Sequence, residues 1–262
     1  MKISRTILFF TIPIAFSACN SSDNQKRSDT SSDTLRYTYQ NFYLASKHLV
    51  DNDGKKDTTY FKAIYPTFEN QEINQVVTRH LISDTLHQSF EEEAKAFIQN
   101  FDDFINMDEY PRAWYSESRT KVIQNTPHYL ALSTEINDYT GGAHGNYGTL
   151  FFNYEPTKKD TIGLADIVPL AKQDTLTAIA GRIFRKQEGL APDQSLDDAY
   201  FFEDNTFHLN TNFTLTPKGL LFLYNVYEIK PYASGITELL IPYEQLDSII
   251  TPEAKLIRKQ LK

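Results

Sequence analysis

Cysteine is nearly absent from this chain: Cys19 is the single example in 262 residues. One thiol forms no internal disulfide and builds no cysteine-rich metal site. Long apolar runs are also missing. Residues 7–16 (ILFFTIPIAF) form the one compact stretch, too short for a bilayer, which needs roughly 20 such residues. A basic surplus is lacking too, with 26 Lys and Arg against 34 Asp and Glu, a net charge of −8. Phosphate binding needs clustered cations, so nucleic acid is excluded as a partner. No HExxH, GxSxG, Walker or dinucleotide pattern occurs. Glycine is scarce at ten residues, yet Gly141, Gly142, Gly145 and Gly148 fall within one short stretch.

What is present at the N-terminus is a three-part export signal. Lys2 and Arg5 precede the apolar run, and Phe16-Ser17-Ala18 leads into Cys19 with small residues at the cut. Cleavage before Cys19 would expose a thiol and an amine for acylation, and several acyl chains give lasting membrane attachment. The expectation is a lipid-anchored protein of the cell envelope facing the periplasm or exterior, the outer membrane favoured over the inner. Removing Lys2 and Arg5 from the 26 basic groups leaves 24 against 34 acidic ones, a balance of −10. Such a surface speeds encounter with a cationic partner. Residues 20–33 hold no apolar side chain and read, with Cys19 and Thr34, as a tether that reaches about 20 Å.

Beyond the tether the pattern is mixed. Residues 35–50 and 58–65 are aromatic and β-branched on either side of Asp51-Asn52-Asp53-Gly54, a hairpin. A calcium loop is excluded there, because Leu49 and Tyr60 would occupy its first and last ligand positions. Tyr65-Pro66 is expected to end the second strand. One long helix is expected from about 69 to 107, with Ile82, Leu86, Phe90, Ala94, Phe97, Phe101 and Phe104 as its apolar stripe. Strands follow over 113–126, 128–137 and 147–154, then a second helix over 173–188 closing at Gly189. Phe207, Leu209, Phe213 and Leu215 alternate as a strand. Pro217-Lys218-Gly219 turns it into an apolar strand over 220–227, and a last strand spans 236–241. The fold class is α+β, a mainly antiparallel sheet packed by one long and one shorter helix.

Few residues point to chemistry. His144 sits in the glycine cluster near Asp138 and Tyr139, where Gly141 and Gly142 make the bend. Its imidazole is expected to hydrogen-bond backbone or a neighbouring strand. His80, Asp84, His87 and Glu91 recur at helical spacing, the polar margin of an amphipathic helix rather than a metal site. Asp197-Asp198 are adjacent in sequence, which does not provide the separation a glycosidase pair requires. No metal or cofactor is expected. Tyr227, Lys230, Tyr232, Gly235 and Tyr243 surround a Pro/Gly-punctuated loop between apolar strands and are the expected contact surface. Thr34 and Thr58 fit a short triplet that some bacteria O-glycosylate.

The chain carries Tyr65-Pro66 with Ile73-Asn74, YTGGAHGN at 139–146, LADI at 164–167, LTPKGL at 215–220, YEIKPY at 227–232 and IPY at 241–243. Together these landmarks resemble the extracytoplasmic region shared by RsiV-type anti-sigma factors and PdaC-type peptidoglycan deacetylases. The resemblance covers about residues 37–248. It implies two adjoining α+β modules, 35–157 and 158–250, after a signal (1–18) and tether (19–34) and before a tail (251–262). It also implies a non-catalytic ectodomain that binds a lysozyme-like protein or a peptidoglycan fragment. The chain departs from both relatives: it shows no sigma-binding segment, transmembrane helix or deacetylase domain. The alternative is a cell-wall glycan hydrolase or esterase using His144 with a carboxylate.

Overall fold

The computed structural model describes residues 35–52, 54–82, 86–107, 111–197 and 199–261. The signal, Cys19, the tether and Thr34 lie outside them, as do Asp84 and Asp198. No described helix is long and apolar enough to cross a membrane.

The chain is α+β with mainly antiparallel sheets. Strand β1 (Tyr37–Ala45) pairs antiparallel with β4 (Tyr60–Phe68), and between them in sequence β2 (Val50–Asn52) and β3 (Lys55–Asp57) form a short antiparallel ribbon. Its turn is set by Gly54, at φ 83°, whose N–H donates to Asp51 Oδ1 at 2.7 Å. Thr58 donates its hydroxyl to the carbonyls of Ser46 and His48, so the group expected to carry a glycan is already engaged. Strand β4 does not stop at Tyr65-Pro66 but runs on to Phe68. Its pairing with β5 (Tyr115–Thr126) ends at Ile64. Pro66 therefore lies on a stretch that is an edge on that side, where a missing donor is tolerated.

The expected long helix is two helices. Helix α1 (Gln71–Leu81) begins at Asn70, whose Oδ1 accepts from the N–H groups of Glu72 and Ile73. It ends at Ile82 in extended backbone. Helix α2 (Phe90–Phe104) begins anew at Ser89, whose Oγ accepts from Glu92 N–H while Glu92 Oε2 accepts from Gln88 N–H. The serine cap satisfies one of the free N–H groups of the first turn and makes a strong helix start. Leu86, counted into the apolar stripe, is 84 % exposed in the break. Phe90 and Ala94 of α2 pack on Phe61 and Ala63, and Ile73 and Val77 of α1 pack on Phe68, Leu130 and Leu132. Together the helices form the crossover that lets β4 and β5 run parallel.

Strands β5, β6 (Tyr129–Tyr139) and β7 (Asn146–Glu155) form an antiparallel meander, and β8 (Asp160–Thr161) closes the six-stranded sheet in the order β1-β4-β5-β6-β7-β8. The first module's sheet thus takes its last strand from just beyond residue 157. Residues 129–132 are buried on both faces. Leu130 and Leu132 lie under α1, while Tyr129 and Ala131 join the core of the second module.

That second module has helices α3 (Leu164–Ile167) and α4 (Gln173–Gln187), strands β9 (Phe213–Thr216), β10 (Gly219–Tyr224) and β11 (Thr237–Pro242), then α5 (Tyr243–Leu246) and α6 (Pro252–Arg258). The strands form one antiparallel sheet in the order β11-β10-β9. Leu176, Ile179, Ala180 and Phe184 of α4 supply much of its core. Phe207 and Leu209 are not on a strand, because Asn210 and Asn212 donate their side-chain amides to the Leu223 carbonyl. Side chains there take a place that a longer ladder would have filled.

Polar side chains seam the modules together. The buried Tyr129 hydroxyl lies 2.6 Å from Asn153 Oδ1 and 2.9 Å from Thr214 Oγ1, and it accepts from Leu215 N–H. Asn153 donates to Phe213 O, Asn212 accepts from Phe151 N–H and donates to Thr149 O, and Asn225 accepts from Thr149 N–H. At Gly148 an added Cβ would lie 3.0 Å from Asn225 Oδ1.

Candidate functional site

The glycine cluster is a loop at one end of β6. Gly141 and Gly142 hold φ values of 91° and 96°, backbone that a side chain rarely adopts. Tyr139 donates its hydroxyl to Gly142 O at 2.9 Å. A Cβ at Gly145 would lie 2.8 Å from Tyr115 Oη and 2.9 Å from Asp138 O, so only glycine passes there. The loop lifts His144 into the open. Its Nδ1 is 2.8 Å from Gly145 O; a carbonyl only accepts, so Nδ1 carries the proton. Nε2 lies 3.3 Å from the Tyr227 hydroxyl.

Tyr227 belongs to the second module. The two regions that stand far apart in sequence, the glycine cluster and the tyrosine loop, therefore meet at the seam. The His144 ring lies against Tyr232, with centroids 4.2 Å apart and planes 26° apart. Tyr232 also contacts Tyr227 at 5.5 Å and Tyr147 at 5.6 Å. Partial burial raises the Tyr232 phenol pKa, as do the nearby phenols of Tyr147, Tyr227 and Tyr115. The loop is held under constraint. Tyr227 has φ 66°, and Gly235 combines φ 68° with ψ −162°, the latter a region almost closed to other residues.

Of the five expected contact residues, Tyr227, Tyr232 and Gly235 stay on this surface, and two turn inward. Tyr243 is only 2 % exposed, donates to Thr216 O at 3.0 Å and lies under the Arg258 guanidinium. Burial pushes its phenol up to about 12. Following Pro242 directly, it starts α5 and falls onto the second module's core. Lys230 pairs with Glu188 at the end of α4 at 3.4 Å, and both side chains are largely covered. Neither presents itself to a partner.

Sequence reasoning missed a row of tyrosines that extends the patch. Tyr60, Tyr115 and Tyr139 stand directly opposite one another on β4, β5 and β6. From Tyr43 on β1 through Tyr60 and Tyr115 to Tyr139 the ring centroids are 5.7, 6.2 and 5.9 Å apart. Tyr60 donates to Glu117 at 3.2 Å; burial, then this carboxylate, push its phenol up to about 12. Only strand register aligns these residues, so no spacing in the sequence announces them. Beside the row, Phe104, Arg112, Trp114, Tyr139, Gly141 and Gly142 border a cavity of about 430 Å³. The buried Trp114 Nε1 has no hydrogen-bond partner among the described residues.

The nitrogens of His144 are taken by a carbonyl and a phenol, and no carboxylate touches it among the described residues. Burial raises the Asp138 carboxyl pKa. Among the described residues no group of three or more His, Asp, Glu or Cys is placed to hold a metal. The break between α1 and α2 separates His80 from Glu91. The His80 ring lies on Phe152 at 4.5 Å, and burial lowers its pKa.

Residues 53–147 match the family model described as deacetylase PdaC, and residues 165–244 match that described as a protein of unknown function, DUF3298. The two matches fall on successive stretches, one in each module. It is similar to a DUF3298 family structure from Bacteroides fragilis, with a TM-score of 0.70, 21 % identity, and coverage of 89 % of this chain and 99 % of that one. A DUF3298 family structure from Pseudomonas aeruginosa gives a TM-score of 0.61 at 21 % identity, covering 83 % and 96 %. Both show the fold. Among curated proteins it is 26 % identical over 128 residues to immunogenic protein MPT64 of Mycobacterium tuberculosis and MPB64 of Mycobacterium bovis. That is 46 % of this chain, which spans about half the length of these relatives. The His144 loop closes the PdaC match, and Tyr227, Tyr232 and Gly235 fall inside the DUF3298 match.

Proposed function

We propose that the chain is a cell-envelope lipoprotein, anchored through Cys19, whose ectodomain binds a peptidoglycan glycan strand without turning it over. The observation that carries this reading is the row of ring contacts from Tyr43 to Tyr139, together with the cluster of His144, Tyr232 and Tyr227 at the seam. Tyr43 and Tyr227 are exposed and Tyr60, Tyr115, Tyr139 and Tyr232 half-buried; tyrosine rings at a surface suit ligands that are part ring and part polar. The row crosses four neighbouring strands of one rigid sheet, which favours an elongated ligand. The occupied nitrogens of His144 support binding over acid-base chemistry.

A second reading, a basic lysozyme-like protein as ligand, is favoured by the charge of −10 expected after signal removal. Calorimetry on the protein beginning at residue 35 separates them. Soluble peptidoglycan fragments should bind. Tyr232→Ala and Tyr43→Ala should each weaken binding by about 5–30-fold, the range of an aromatic hot spot, at an unchanged melting temperature. Binding of lysozyme alone, lost on adding salt, would favour the second reading. Binding of neither ligand, or turnover of the fragments, would overturn the proposal.

A further inference from the structure

The outer side of α4 carries a groove of about 740 Å³, within the size range of small-molecule sites. It shares no lining residue with the aromatic surface. Its walls are Ala178 on the helix, Leu190 and Pro192 beyond the Gly189 bend, and Phe207. Gly181 makes room for Phe207: a Cβ there would lie 3.2 Å from the ring. Phe207 is braced from behind by Phe184 at 5.1 Å and Phe202 at 5.3 Å. The apolar floor is thus formed before any ligand arrives.

The rim is cationic, against the trend of a chain with net charge −8. Arg182, Arg185 and Lys186 line one end. Arg185 donates through Nη1 to the carbonyls of Ala191 at 3.1 Å and Gln194 at 2.7 Å. These bonds fix the guanidinium without neutralising it. Arg182 and Lys186 form no ion pair among the described residues. The lining runs from Asp174 to Lys186, about 18 Å at the helical rise. The groove is therefore long, apolar in its middle, acidic at one end and basic at the other.

We propose that this groove binds a single-chain fatty carboxylate. The acyl chain lies over Ala178, Gly181 and Phe207, and its head meets Arg182 and Lys186, with Arg185 as the fixed cation. Asp174 at the opposite end repels the carboxylate and sets the direction. Neither a cation of equal chain length nor a neutral detergent matches this arrangement.

The test titrates the purified full chain with cis-parinaric acid, a fatty acid that fluoresces on entering an apolar site, and displaces it with laurate. Saturable binding at one site per chain is expected, with dodecyltrimethylammonium at least tenfold weaker as competitor than laurate. Ala178→Trp fills the groove from an exposed helical position and should abolish binding at an unchanged melting temperature. The double variant R182E/K186E should weaken binding at least tenfold. Absence of saturable binding overturns the proposal, as does equal competition by the cationic amphiphile or full binding by Ala178→Trp. Binding to phospholipid vesicles without displacement by laurate would make the groove a membrane contact and also overturn it.

Discussion

At the scale of single residues, the seam site is held by backbone that few side chains tolerate. Tyr227 sits at φ 66° while its hydroxyl reaches His144, and Gly235 turns the chain back toward β11. Such conformations cost about 1–3 kcal/mol each and persist only where the surroundings enforce them. Gly235→Ala should therefore destabilise the protein by about 1–3 kcal/mol. A Cβ there would lie 3.7 Å from Tyr147 Oη, an ordinary contact, so the penalty is conformational rather than steric. Thermal melting reads the loss, and an unchanged melting temperature would mean that the loop relaxes freely. The sequence offered His144 and the glycines as a group and the tyrosine loop as another. It could not bring them together, because their contact is made by folding across the seam. Nor could it show that Lys230 would find Glu188 and Tyr243 the core: residue type marks both as surface candidates, and only their partners withdraw them.

At the scale of elements, the break between α1 and α2 was legible in principle. Ser89 and Glu92 stand at the spacing of a helix start, and the cap overrides an apolar stripe that runs unbroken through Leu86. Helix α4 and its Gly189 terminus were readable from periodicity and end signals, because its buried face matches the apolar period of the sequence. The strand expected from Phe207 through Leu215 begins only at Phe213; before it, the Asn210 and Asn212 side-chain amides donate to the Leu223 carbonyl. The turn between β9 and β10 shows the reverse, a sequence signal stricter than its motif suggests. A Cβ at Gly219 would lie 2.1 Å from Ile241 O, on the neighbouring β11. Gly219→Ala should force the strands apart and cost at least about 1–3 kcal/mol, the usual penalty for overpacking. Urea denaturation is the measurement. A loss under ~0.5 kcal/mol would contradict the tight β10–β11 approach.

At the scale of the whole molecule, several buried tyrosines tie stability to pH. Burial pushes Tyr243 up to about 12, and burial followed by the Glu188 carboxylate does the same to Tyr200. Burial raises Tyr129 and Tyr224 as well. The unfolded chain releases these protons near pH 10. Raised folded values therefore contribute stability that is present below pH 10 and lost as pH climbs toward 12. Each tyrosine ionised only in the unfolded state costs about 1.4 kcal/mol per pH unit. Melting temperature should hold to about pH 9.5 and then fall steeply; a flat profile to pH 12 would contradict the buried phenols.

The central claim is that both modules contribute to one ligand surface, with His144 and Tyr232 at its middle. Chemical-shift mapping by NMR of the protein beginning at residue 35, titrated with soluble peptidoglycan fragments, tests it most directly. The account predicts perturbations contiguous from Tyr43 through Tyr115 and Tyr139 to His144, Tyr227 and Tyr232, on both sides of the seam. Perturbations confined to one module, or centred away from these residues, would contradict it.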